Sequence, residues 1–442
     1  MQVKKIGAVI LAAAMLTLTA CGANSNGASS SGEEGKPVLK MAALEGGYGK
    51  EMYSEVIAAF EEQFDVDVEL TISKSIEDEI TPGMKAGKYP DVVVLGQGRS
   101  AGLTETLIKD KGLEDLTDVL SMQVPGEEQT IQDKLVDGLI GTLGTNPYGD
   151  DRTYLMPMYY SPTGLVYNKG LFEQKGWDVP KTWDEMFALG DKAKSEGIAL
   201  FTYPTAGYMD SFFFALLADV GGMEFYDKVM NYEQDIWQTA EAKQALDITA
   251  KLLSYASDTT VAYANEQDFT KNQQAILDNK VLFMPNGTWI AGEMADAPRA
   301  EGFAWGLTPI PTVNEGGDRY IVTSTEAVWV PSQAKNKDLA KQFISFLYSD
   351  QAADIFAQSN AIQPIKGISE QLTGENQSFY SVYDEPNVKA LVGGFVSTSP
   401  VEGVNIKTTL FDTANSIISG DKTVDDWRSD LNDASEKLRA AK

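Results

Sequence analysis

Apolar positions change period in a regular order along this chain. Residues 38–44 (VLKMAAL) form a short apolar run of strand length. Met52, Val56, Phe60 and Phe64 then recur every four residues and lay one apolar stripe along a helix. Val66, Val68, Leu70 and Ile72 alternate with polar residues, the period of a half-buried strand. A second helix is predicted over about 76–88, interrupted near Pro82. Residues 91–96 (DVVVLG) run apolar without alternation, which suits a strand covered on both faces of a parallel sheet. The order β-α-β-α-β predicts a doubly wound α/β domain, whose ligands lie outside the carboxyl ends of the strands. Two loops fall at such ends, one carrying Glu45 and Tyr48 and the other Gln97-Gly98-Arg99.

The pattern turns at residues 153–185. A strand-like run, 154–160, contains Pro157; Ser161-Pro162-Thr163-Gly164 follows, and then Leu165-Val166-Tyr167. Pro162 fixes its own φ and pushes Ser161 out of the helical region, while Gly164 is permissive, so a joint is predicted there. Such a segment suits a crossing between two domains, and equally an ordinary β-to-α transition inside one; local pattern leaves both open. Thr182 and Glu185 have capping-box spacing and open a helix over 182–196. A short strand (198–203), a loop (204–210) and a very apolar helix (211–220) come next, with Phe212 to Phe214 read as core. Helices occupy 241–279, a strand 281–284, and Trp289 follows the turn Asn286-Gly287 at that strand's end. Its broad indole face and single N–H donor suit stacking on a ligand ring; the competing reading is a core tryptophan under the next helix. Residues 303–311 and 325–331 read as further strands, and 337–348 as a helix burying Leu339, Phe343 and Leu347. The loop 401–406 is one more candidate site loop, and a last helix aligns Val424, Trp427, Leu431 and Leu438.

Composition narrows the chemistry. At 442 residues the chain is long enough for two domains with sizeable cores. Residues 1–20 read as a lipoprotein signal peptide: Lys4 and Lys5 precede an apolar run too short to span a bilayer, and Leu18-Thr19-Ala20-Cys21 forms a lipobox. Cleavage before Cys21, lipid on its thiol and a Ser/Gly/Asn-rich tether over 21–37 would hold the protein at the membrane by its lipid alone. Cys21 is the only cysteine, which leaves no internal disulfide. The formal charge of −28 becomes −30 without the leader's two lysines; such a surface repels nucleic acid and anionic lipid. The chain has no histidine, which excludes Ser-His-Asp and Cys-His catalysis and His-ligated zinc. Gly98-Arg99-Ser100-Ala101-Gly102 fits the nucleophile-elbow pattern but has no imidazole base, and Ser332-x-x-Lys335 lacks its companion motifs. No cofactor is expected.

Residues 159–186, YYSPTGLVYNKGLFEQKGWDVPKTWDEM, resemble the crossover segment of extracellular solute-binding proteins of carbohydrate ABC importers. The matching parts are Tyr167-Asn168-Lys169 and the run from Gly176-Trp177 to Glu185; Tyr89-Pro90-Asp91-Val92 and the strand-loop-Trp289 element also fit. Within that family the chain looks most similar to the N-acetylglucosamine- or chitobiose-binding branch. The resemblance implies two doubly wound α/β lobes joined by a multi-strand hinge, the type II periplasmic-binding-protein architecture. It implies a first lobe of 38–160 plus 308–333 and a second of 161–307 plus 334–442. It also implies ligand contacts at Arg99, Tyr203, Tyr208 and Asp210, which join Glu45, Tyr48, Tyr160, Ser161 and Trp289 as candidate site residues. The implied protein is a lipid-anchored monomer on the outer face of a bacterial membrane. It would capture a mono- or oligosaccharide by closing about its hinge and pass it to the permease subunits. Two rivals remain at this level: a secreted glycoside hydrolase using a carboxylate pair, and a surface adhesion protein.

Overall fold

A computed structural model describes residues 36–442 apart from Gly47, Gly98 and Ser100. The leader, the lipobox with Cys21 and the tether up to residue 35 lie outside the described residues. The first apolar run forms β1 (Val38–Leu44), flanked in parallel by β2 (Asp67–Ser73) and β3 (Val92–Val94), with Met41 opposite both Leu70 and Val92. Helix α1 (Glu51–Gln63) turns Met52, Val56 and Phe60 inward, as the four-residue spacing predicts. Helix α2 (Ile76–Lys85) continues past Pro82 rather than breaking there. A proline removes one backbone donor, and the neighbouring turns hold the helix for three more residues.

The two halves of the molecule share one long strand. In β4 (Met156–Asn168) all 13 residues are buried. It pairs antiparallel with β8 (Arg319–Trp329) from Met156 to Thr163, with β6 (Val281–Gly287) from Thr163 to Val166, and with β7 (Trp305–Thr308) from Leu165 to Asn168. β8 in turn pairs antiparallel with β3, so the order β2-β1-β3-β8-β4-β6-β5 runs across the molecule, where β5 is Ala199–Phe201. β9 (Val388–Leu391) adds to β8. Of the two readings of residues 153–185, the crossing is therefore the one found.

The joint predicted at 161–164 is absent: the strand continues through it, and its only irregularity is a register shift between Pro157 and Tyr159. Gly164 has another purpose. A Cβ there would lie 2.7 Å from the backbone carbonyl oxygen of Thr308, so β4 and β7 can cross closely only because the position has no side chain. We expect Gly164→Ala to lower stability by about 1–3 kcal/mol, the scale of overpacking against a neighbour that cannot move aside. Chemical denaturation measures this, and a change under about 0.5 kcal/mol would show that the two strands separate freely.

The predicted lobe boundary after β8 needs correcting. Phe343 and Phe346 pack on Phe60 of α1 with ring centroids 5.0 and 5.5 Å apart. The helices Lys337–Leu347 and Asp350–Gln358 therefore complete the first lobe instead of belonging with the second. The C-terminal helix Val424–Arg439 does join the second, where Trp427 meets Phe213. An amphipathic stripe shows that a helix is covered on one face, and says nothing about which distant surface covers it.

Candidate functional site

The carboxyl ends of β1 and β3 meet the middle of β4 from the first-lobe side. Glu45 is partly exposed at the end of β1, and its N–H donates to the Ser73 carbonyl at 3.0 Å. The Tyr48 ring stands edge-on to Tyr159, with centroids 5.1 Å apart, and its hydroxyl lies 3.2 Å from Ser161 Oγ. The loop after β1 thus touches the crossing strand directly. Arg99 is held differently: its Nε donates to Glu77 Oε2 at 2.9 Å, and Glu77 Oε1 accepts the Leu103 N–H at 3.1 Å. The Arg99 side chain keeps about a third of its surface open, so the ion pair orients it without covering it.

On the second-lobe side, Trp289 is 38% exposed, a level it shares with no other aromatic side chain among the described residues. The indole is thus not enclosed beneath the helix that follows it. Its ring lies 6.3 Å from that of Tyr208, at 59°. The indole rests over the backbone of Gly287, where a Cβ would come within 2.2 Å of the ring. Asp210 begins the helix Asp210–Met230 beside them and accepts a hydrogen bond from Ser211 Oγ at 3.3 Å. Burial raises the Asp210 carboxyl above its ordinary range, and the Lys407 ammonium works against that shift. Burial likewise raises the Tyr208 hydroxyl, while the Trp289 indole N–H favours its ionised form.

Two predicted site residues lie elsewhere. Tyr160 is 1% exposed, with its ring between those of Tyr380 and Tyr383 at 5.1 and 4.9 Å. Side chains alternate along a strand, so Tyr159 and Ser161 take the Tyr48 face and Tyr160 takes the opposite one. Tyr203 is wholly buried and donates to Asn415 Oδ1 at 2.6 Å, which fixes the loop beneath Tyr208 rather than lining the surface.

Three residues escaped the sequence reading. The Tyr380 hydroxyl donates to the Tyr160 carbonyl at 2.7 Å and lies among Ser161, Thr288 and Tyr48, where loops of both lobes reach the crossing strands. Lys407 faces Asp210 from a segment with no motif. Glu326 sits on β8 against Gly96, with Tyr53 and Tyr159 beside it. A lone acid inside the apolar run TEAVWV was its available signal. Gly98 and Ser100 lie outside the described residues, so the nucleophile-elbow match has no geometry to weigh. Among the described residues, no group of three or more carboxylates, histidines or cysteines is placed to hold a metal ion.

Two α/β lobes sharing long crossing strands, with polar and aromatic loops turned to the strand ends, define a type II solute receptor. The chain belongs to the bacterial extracellular solute-binding protein family, whose pattern matches residues 55–437. A diacetylchitobiose-binding protein of Streptomyces coelicolor is 25% identical over 343 residues, covering 74% of this chain and 69% of its own. A galactooligosaccharide-binding protein of Bacillus subtilis is 25% identical over 382 residues, covering 83% and 82%. Among solved structures, a bacterial solute receptor with a preference for β-D-galactopyranose superposes with a TM-score of 0.70 at 16% identity, covering 92% of this chain and all of that one. A receptor in complex with raffinose gives 0.56 at 20% identity, covering 90% and 99%. At these identities the structural likeness is one of fold.

Proposed function

We propose that this protein is the sugar-capturing receptor of a bacterial ABC importer. It closes around an oligosaccharide between its lobes and presents it to the permease. The exposed Trp289 carries this reading, since a solvated indole beside Tyr208 and Asp210, on a flat glycine floor, offers a stacking face next to hydrogen-bonding groups. That is what a pyranose with apolar faces and hydroxyl edges requires. Tyr48 and Ser161 supply the opposing hydroxyls, and Glu45 and Arg99 the charged rim. The relatives' names favour oligosaccharides, and the chitobiose-binding one favours an N-acetylglucosamine-containing ligand. Cys21 would carry the lipid that keeps the receptor, a monomer, on the outer face of the membrane. On this reading the sugar is held between the lobes and released intact.

A thermal-shift panel tests this on the purified chain, using diacetylchitobiose, galacto-oligosaccharides, raffinose and maltotriose. A ligand that binds only the folded state at about 100 times its Kd adds about 2.7 kcal/mol, which moves the transition clearly upward. At least one sugar should do so and be recovered intact. No shift with any sugar, or release of cleaved product, would refute the proposal.

A further inference from the structure

We infer that Glu326 is a ligand-reading carboxylate at the hinge, accepting a hydrogen bond from a hydroxyl or amide N–H of the bound sugar and giving up a proton as the sugar binds. The inference rests on the sugar-receptor reading and adds a specificity residue to it.

The geometry is specific to this position. Glu326 lies on β8 opposite Tyr159 of β4, where both strands pass between the lobes. Its carboxyl reaches over the end of β3: a Cβ on Gly96 would lie 2.8 Å from Oε1 and 3.6 Å from Oε2. The close approach brings the acid to the carboxyl end of the first-lobe strands, the place where such folds take ligands. Oε1 is buried without a hydrogen-bond partner, while the residue as a whole stays partly exposed. An ionised carboxylate accepts up to four hydrogen bonds and donates none, so this one is under-supplied with donors. The groups facing it are few. The Gly96 N–H and the more distant Arg99, itself paired with Glu77, favour its ionised form. Tyr53 from α1 and Tyr159 from β4 crowd it, with Tyr48 against Tyr159.

Burial is the larger effect and pushes the Glu326 carboxyl up to about 7 in the ligand-free receptor. A sugar donor stabilises the charged form, because hydrogen bonds to an ionised acceptor are stronger than neutral ones. Binding therefore lowers the affinity of this carboxyl for its proton. The sign follows. Above pH 7 the group is ionised in both states and affinity is flat. As pH falls below 7 the free receptor is protonated first, and affinity drops.

Calorimetric titration of the full chain with diacetylchitobiose, or with the galacto-oligosaccharide if that is the sugar that binds, should show Kd weakening about tenfold from pH 8 to pH 6, the limit for one proton released with a group titrating near 7. Heats measured in buffers of different ionisation enthalpy should show proton release at pH 6.5 and none at pH 8. Glu326→Gln keeps the shape and cannot ionise; it should bind several-fold more weakly at pH 8, with a flat profile and no proton release. Infrared difference spectra of parent against this variant should show one carboxyl titrating near 7, moving lower with sugar bound. A parent that binds sugar with a flat profile, or a variant that keeps the parent's profile, overturns this inference and leaves the receptor reading standing. A parent that binds no sugar at any pH overturns both.

Discussion

Trp289→Ala should weaken sugar binding by about 2 kcal/mol or more, the cost typical of an aromatic anchor, and leave folding stability nearly unchanged. The second half of that expectation comes from exposure. With 38% of its surface in solvent, the indole contributes far less to the core than a buried tryptophan, whose loss costs about 3–5 kcal/mol. Its position is set by Gly287 beneath and Tyr208 beside it, so truncation removes a stacking face and leaves the backbone in place. Titration calorimetry and chemical unfolding on the one variant separate the two quantities. Unchanged affinity, or a stability loss above about 2 kcal/mol, would show that the ring supports the fold rather than the ligand.

Asp91→Ala should produce the largest loss of stability among the substitutions considered, about 3–5 kcal/mol, as when one partner is removed from a buried charged network. Asp91 is 2% exposed, and its two oxygens accept four hydrogen bonds. Oδ2 takes the Lys40 N–H at 3.0 Å and Asn336 Nδ2 at 3.1 Å, and Oδ1 takes the N–H groups of Lys335 and Asn336 at 3.2 and 3.0 Å. One carboxylate thus ties β1, the start of β3 and the segment following β8. Those segments lie far apart in sequence, and the last returns from the second lobe. Asp91→Asn keeps the shape but turns a donor toward donors, so it should recover only part of the loss. Urea unfolding measures both, and a cost below about 1 kcal/mol for Asp91→Ala would mean that water satisfies the freed donors.

Much of the secondary structure was legible because its determinants are local. The apolar run of β1, the stripe on α1 and the Thr182–Glu185 box each act within a few residues. The box forms as read, with Thr182 accepting the Glu185 N–H at 3.3 Å and Glu185 accepting the Thr182 N–H at 3.2 Å. Trp289, Tyr208 and Tyr48 were readable as candidates for a similar reason: each follows an element whose limits the sequence marks, whereas Ser161 lies inside β4. Tyr160 and Tyr203 misled because an aromatic residue near a strand end satisfies the same rule whichever way it points.

What the chain alone determined, then, is chemistry and local form. The absence of histidine removed whole classes of catalysis, the periodicities set the α/β character, and the resemblance around 159–186 pointed to a hinged receptor. Tertiary structure decided matters of facing and partnership. It made β4 one unbroken strand with Gly164 as a crossing point, sent the helices after β8 back to the first lobe, and turned Tyr159 rather than Tyr160 toward Tyr48. It also brought Glu326 to Gly96 across 230 residues of chain. The reason is physical: propensity, capping and periodicity act over a few residues, whereas burial is indifferent to sequence separation, and only the folded backbone says which apolar face or buried carboxylate meets which neighbour.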